Sequence, residues 1–224
     1  MTLFTKIKQR VLESDHQPLI VTVGLFAFTA LYYTRNLALQ IVSFFVLILV
    51  AFLWNHSLRQ VGGFSWETFK LVKTKLLREI IIAVALAIFG WFWYGFYINL
   101  TRGHWIPFGF GGSYAAIVAI ISVSVAEELF FRGYLQNHLG DRYSRVARIL
   151  IAVVALALFK NVVHLWEGLP LGLHFELFFL GVLHNTLPSI WLEWSGSLVG
   201  PLVLHVAWDL LVYAPMSEIP YWVI

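Results

Sequence analysis

The sequence predicts an all-α protein, a polytopic membrane bundle of about seven transmembrane helices with one further amphipathic helix lying in the interface. Three observations predict it. Of the 224 residues 60% are hydrophobic and 12% charged, about half of the roughly 25% charge a soluble domain carries and too little to cover a water-facing surface. Seven runs are long and apolar enough to span a bilayer. The basic residues are sorted by side, as membrane insertion requires. Soluble globular, disordered and nucleic-acid-binding classes are thereby disfavoured, and topology accounts for the net charge of +3. The chain has no cysteine, which excludes disulfides, thiolate metal sites and a cysteine nucleophile.

The runs are 18–34, 36–55, 79–99, 114–135, 147–166, 174–192 and 198–214. Lys6, Lys8 and Arg10 precede the first, but Glu13 and Asp15 intervene, so it reads as a retained span rather than a cleaved leader. Only Thr34-Arg35-Asn36 separates the first two, which makes them a tight hairpin. Segment 64–78 sets Phe69, Val72, Leu76 and Leu77 at helical spacing opposite Lys70, Lys73 and Lys75, the pattern of a helix in the membrane interface. With alternating spans, twelve of the fifteen Lys and Arg residues fall on the side of the N-terminus, which is therefore expected in the cytoplasm. The opposite side receives Arg35 and Arg102, and Lys160 lies within a span.

Ionisable residues inside a span cost about 2.5–3.5 kcal/mol each on insertion scales, so each needs a reason. The fourth span carries Glu127, Glu128 and Arg132, the fifth Lys160 and His164, the sixth His184, and the seventh His205 and Asp209. Glu128 and Arg132 are four apart and share a helix face, where they can pair. Glu127 is turned away by about 100°. Without a cation on its own face its carboxylate is suited to general-base work near neutral pH. His205 and Asp209 are also four apart, an arrangement that can hold a metal, orient a water or donate to an oxyanion. The competing reading is a set of polar contacts that glue helices together. His164 and His184 taken singly read as interfacial, and His16, His56, His104 and His138 receive no role.

EELFFRGYL at 127–135, a histidine closing the next span and SGSLVGPLVLHVAWDLL at 195–211 together resemble the CPBP family of intramembrane proteases. That family includes prenyl-protein (CAAX) endopeptidases and the Abi-like bacteriocin-processing or self-immunity proteins. Its signature is EExxxR, FxxxH, then HxxxN or HxxxD. The resemblance covers about residues 113–212 as a catalytic core, with 1–112 holding the N-terminal spans and interfacial helix of one membrane domain. It implies that Glu127 is the catalytic glutamate, Glu128 and Arg132 its supporting pair, and His164 the histidine that positions water. His205 and Asp209 would steady the oxyanion. The middle motif departs from the pattern, because Lys160 stands four residues before His164 and Phe159 five before, which leaves His184 as a substitute. Helix rise puts Glu127 about 12 Å and His164 about 25 Å from the same face, so the fifth span is expected to tilt or break if the two are to meet.

The activity implied is an intramembrane endopeptidase of glutamate/histidine type, a hydrolase acting on a membrane-anchored protein or peptide: a processing or sorting tail, a prenylated C-terminus or a leader peptide. The expected setting is a bacterial or archaeal cell membrane, with the bilayer and the substrate as partners and no nucleic acid. The resemblance leaves the cofactor open: none is certain, and a divalent metal such as zinc, if one binds, would take Glu127, His164, His205 and Asp209. HExxH, Gly-x-Ser-x-Gly, a rhomboid-like serine motif and GxGD are all missing from the chain. The rival readings are a proton-coupled transporter, against which the chain shows no internal repeat, and a non-catalytic immunity or scaffold member of the same family.

Overall fold

In the computed structural model the described residues are 19–24, 76–105, 109, 114–162 and 168–215, and among them there are helices and turns but no strand. Beyond a helical segment at 19–24, five helices follow. They are α1 (Leu76–Arg102), α2 (Tyr114–Glu127), α3 (Arg145–Val162), α4 (Leu171–Ser195) and α5 (Val199–Tyr213). The α2 helix continues as a π-helical stretch, Glu128–Gln136, and closes through short turns at Asn137–Leu139 and Gly140–Arg142. The all-α class holds.

The helix predicted over 79–99 is present but longer, because Leu76, Leu77 and Arg78, assigned from sequence to the interfacial helix, open α1 instead. The remainder of that interfacial helix, most of the first span and all of the second lie outside the described residues. Among the described residues one helix, α1, is long and apolar enough to cross a membrane by composition; α5 is apolar but has 15 residues. The expected count of seven is not tested by the described residues, which leave out most of the first span and all of the second. Helix α3 carries Arg145, Arg148 and Lys160, α4 carries His184, Asn185 and Glu193, and the fourth span changes helix type midway.

Helix α5 sits at the centre, packed against α1, α2 and α4, while α3 packs against α4 and the π-helical stretch. Ala83 and Ala87 of α1 meet Leu204 of α5 and Trp191 of α4, small residues letting helices approach closely as they do in membranes. Phe130, Phe131, Tyr134 and Leu135 pack on Leu156 and Phe159 of α3. The outer side of α1 exposes Val84, Ile88, Phe89, Phe92, Trp93 and Phe96, a continuous apolar face of the kind hydrocarbon covers.

Helix ends are closed by polar groups from neighbouring helices. Glu79, buried near the start of α1, accepts hydrogen bonds from the Ser197 hydroxyl at 2.8 Å and the Gly200 N–H at 3.1 Å, satisfying a donor that the first turn of α5 cannot satisfy internally. Gly196 ends α4 with φ 65°, and its N–H donates to the Leu192 carbonyl at 2.8 Å, the left-handed cap that favours glycine. Gly200 is required for a different reason. A Cβ there would stand 2.5 Å from the Trp191 ring.

Candidate active site

The switch from α-helix to π-helix falls between the two glutamates, Glu127 ending α2 and Glu128 opening the π stretch. Asn137 at the end of the stretch gives its N–H to the carbonyls of Arg132 and Tyr134, the first of these being the i→i+5 bond that defines a π turn. Nine residues is long for such a segment, since π turns are mostly single-turn bulges and frequently mark functional sites. All of its residues except Leu129 are buried.

Glu128 and Arg132 form the expected pair, Nη1 to Oε1 at 2.5 Å, with both side chains fully buried. The rest of the guanidinium is spent on α4: Nη2 donates to the Asn185 side-chain oxygen at 2.7 Å and carbonyl at 3.1 Å, and Nε to the Ser189 hydroxyl at 3.3 Å. Asn185 is fixed in turn by its own amide donating to the Gly181 carbonyl at 2.7 Å. The second role of Glu128 is to hold His205. Its Oε1 lies 2.6 Å from Nδ1, which fixes the imidazole from behind.

The other ring nitrogen, Nε2, faces the opposite way. It stands 3.2 Å from Asp209 Oδ2 and 3.5 Å from Glu127 Oε2 without a well-aligned hydrogen bond to either. Asp209 accepts from the Ser124 hydroxyl at 2.6 Å, and Glu127 Oε2 lies 3.1 Å from Lys160 Nζ on α3. Both nitrogens of His205 thus face carboxylate oxygens, where a neutral ring would aim a lone pair at a negative charge, so the ring fits as an imidazolium with a proton on each nitrogen. Three carboxylates (Glu127, Glu128, Asp209) then balance three cations (Arg132, Lys160, His205). An unbalanced charge would be costly at this burial.

The structure therefore brings together Glu127, Glu128, Arg132, His205 and Asp209 from α2, its π extension and α5. It corrects one expectation, that Glu127 has no cation nearby: the partner is Lys160, which comes from another helix and so is invisible to spacing along the fourth span. His164 lies outside the described residues. His184, half-buried on α4, stands beside His205. Its ring stands edge-on to His205 at 4.9 Å and stacks on Trp208 at 4.9 Å, and its Nε2 is buried without a hydrogen-bond partner. Ser124, Asn185 and Ser189 were missed. The last two form an i, i+4 polar pair in an apolar helix, a signal the sequence does carry.

Donor atoms of His184, His205 and Asp209 lie within 4.8 Å of one another. With Nδ1 of His205 backed by Glu128, this is a carboxylate-supported N,N,O set that fits a divalent ion such as zinc. It shares His205 and Asp209 with the metal set anticipated from the sequence and adds His184.

Fold and site define a class, a helical protein with a carboxylate–imidazole cluster buried between its helices and one helix apolar and long enough to cross a membrane among the described residues. Residues 109–211 match the family model for Rce1-like proteins, described as type II CAAX prenyl endopeptidase Rce1-like. That stretch, under half of the chain, is similar to the family, in agreement with the CPBP resemblance of its motifs. No curated protein and no solved structure matches the chain.

Proposed function

We propose that the protein is an intramembrane endopeptidase that hydrolyses a peptide bond near the C-terminus of a prenylated, membrane-anchored substrate, with Glu127 as general base. The observation that carries this reading is the approach of Glu127 Oε2 to within 3.5 Å of His205 Nε2, two groups 78 positions apart in the chain, with Glu128 and Asp209 holding His205, Arg132 holding Glu128 and Lys160 meeting Glu127. The family match supports the substrate class.

In this reading a water held beside Glu127 gives its proton to the carboxylate while its oxygen bonds to the scissile carbonyl carbon. The carbonyl electrons move onto oxygen, and the oxyanion is met by the Nε2–H of His205, a preorganised donor in a low-dielectric site. Asp209 does not donate. It holds His205 as a cation and accepts from Ser124. Collapse of the tetrahedral species breaks the C–N bond, and the proton on Glu127 passes to the leaving amine. His164 is assigned water positioning by resemblance alone. A zinc ion held by His184, His205 and Asp209 would supply Lewis-acid polarisation of the carbonyl. In the metal-free form His205 is an imidazolium that donates to the oxyanion; as a metal ligand it would be neutral at Nε2 and could not. The N-terminus is placed in the cytoplasm on the distribution of Lys and Arg.

The test is cleavage by the purified protein, in lipid vesicles, of a farnesylated C-terminal peptide and its unprenylated counterpart. Internal cleavage of the farnesylated peptide, undiminished by chelator, is expected. No cleavage of either peptide would overturn the reading, and loss on chelation with recovery on added zinc would replace its metal-free form.

A further inference from the structure

We propose that Lys160 is a positioning residue for Glu127, tying down one oxygen of the catalytic carboxylate so that the other is presented to water. The inference rests on the hydrolase reading above. Lys160 occupies the place, four residues before His164, where the resembled motif has phenylalanine; Phe159 beside it packs into the core against Phe131, with ring centres 5.5 Å apart. A lysine in an apolar helix needs a partner, and this one reaches from α3 to α2, placing Nζ 3.1 Å from Glu127 Oε2 with 21% of the lysine side chain and 3% of the glutamate side chain exposed.

The choice of oxygen matters. Oε2 lies between Lys160 at 3.1 Å and His205 at 3.5 Å, so the rotamer of Glu127 is set from two helices and Oε1 is the oxygen left for the water proton. An apolar side chain at this position would leave the carboxylate held by His205 alone and free to swing toward the imidazolium. Misplacement of a reacting group by about 1 Å can cost on the order of 10²-fold in rate, so the effect belongs in kcat rather than in substrate binding.

The experiment is a double-mutant cycle in vesicles with the farnesylated peptide as probe, using wild type, Lys160→Met, Glu127→Gln and the double variant, with Lys160→Arg as the conservative control. Lys160→Gln stands in if the methionine variant does not fold. Lys160→Met is expected to lower kcat on the order of 10²-fold with KM nearly unchanged, Lys160→Arg to restore most of it, and Lys160→Met to have no further effect once Glu127 is glutamine. Additive effects of the two substitutions, a change confined to KM, or an unaltered kcat in Lys160→Met would overturn the inference while leaving the hydrolase reading intact. Failure of wild type itself to cleave would overturn both.

Discussion

Arg132 heads the fully buried side chains of the described residues in size, and its hydrogen bonds to Glu128, Asn185 and Ser189 lock the π-helical stretch to α4. Removing one member of a buried, hydrogen-bonded ion pair typically costs about 3–5 kcal/mol, because the survivor keeps its charge without a partner. Arg132→Met should destabilise the protein on that scale in a denaturation measurement in detergent. Arg132→Lys should not rescue it, since a point charge cannot reproduce the planar fork. A methionine variant within about 1 kcal/mol of wild type would contradict the role given to this residue. At this scale the sequence was informative wherever partners lie four apart on one helix, as Glu128 with Arg132 and His205 with Asp209 do. It was silent on Lys160 with Glu127 and on Ser124 with Asp209, because those pairs depend on which helices are neighbours.

The elements that matter most are the π-helical stretch and the start of α5. Nothing in ELFFRGYLQ favours a π-helix by composition, so the change of helix type was not legible; it goes with burial of the stretch between α3, α4 and α5, whose contacts are tertiary. The start of α5 is held by Glu79 from α1 and by contact of Gly200 with Trp191 of α4. Gly200→Ala would put a methyl group 2.5–2.6 Å from that indole, and overpacking of this kind costs about 1–3 kcal/mol. Because α5 carries His205 and Asp209, the variant should lose stability and cleavage together, and Gly200→Ala with Trp191→Phe should recover part of both. Unchanged thermal unfolding of Gly200→Ala would show that the close approach does not constrain α5. Gly200 was visible in the sequence as part of SGSLVGP, but its neighbour Trp191 was not.

At the scale of the whole molecule, composition together with the length of the apolar runs gave the helical class, and the apolar exposed face of α1 agrees with the membrane setting they predict. The count of spans rests on the sequence alone, since most of the first predicted span and all of the second lie outside the described residues. The contact of Glu127 with His205 brings the seventh span onto the fourth, the meeting that the family resemblance of their motifs implies. A proton-relay transporter would also bury Glu, His and Asp, but would not call for an imidazole clamped between Glu128 and Asp209 with its Nε2 facing the Glu127 carboxylate. The most direct test of the central claim is the rate of farnesylated-peptide cleavage by Glu127→Gln beside its thermal unfolding midpoint. Removal of a general base predicts a fall of about 10²–10⁴-fold with the fold and peptide binding preserved, whereas a folded glutamine variant that cleaves at the wild-type rate would contradict it.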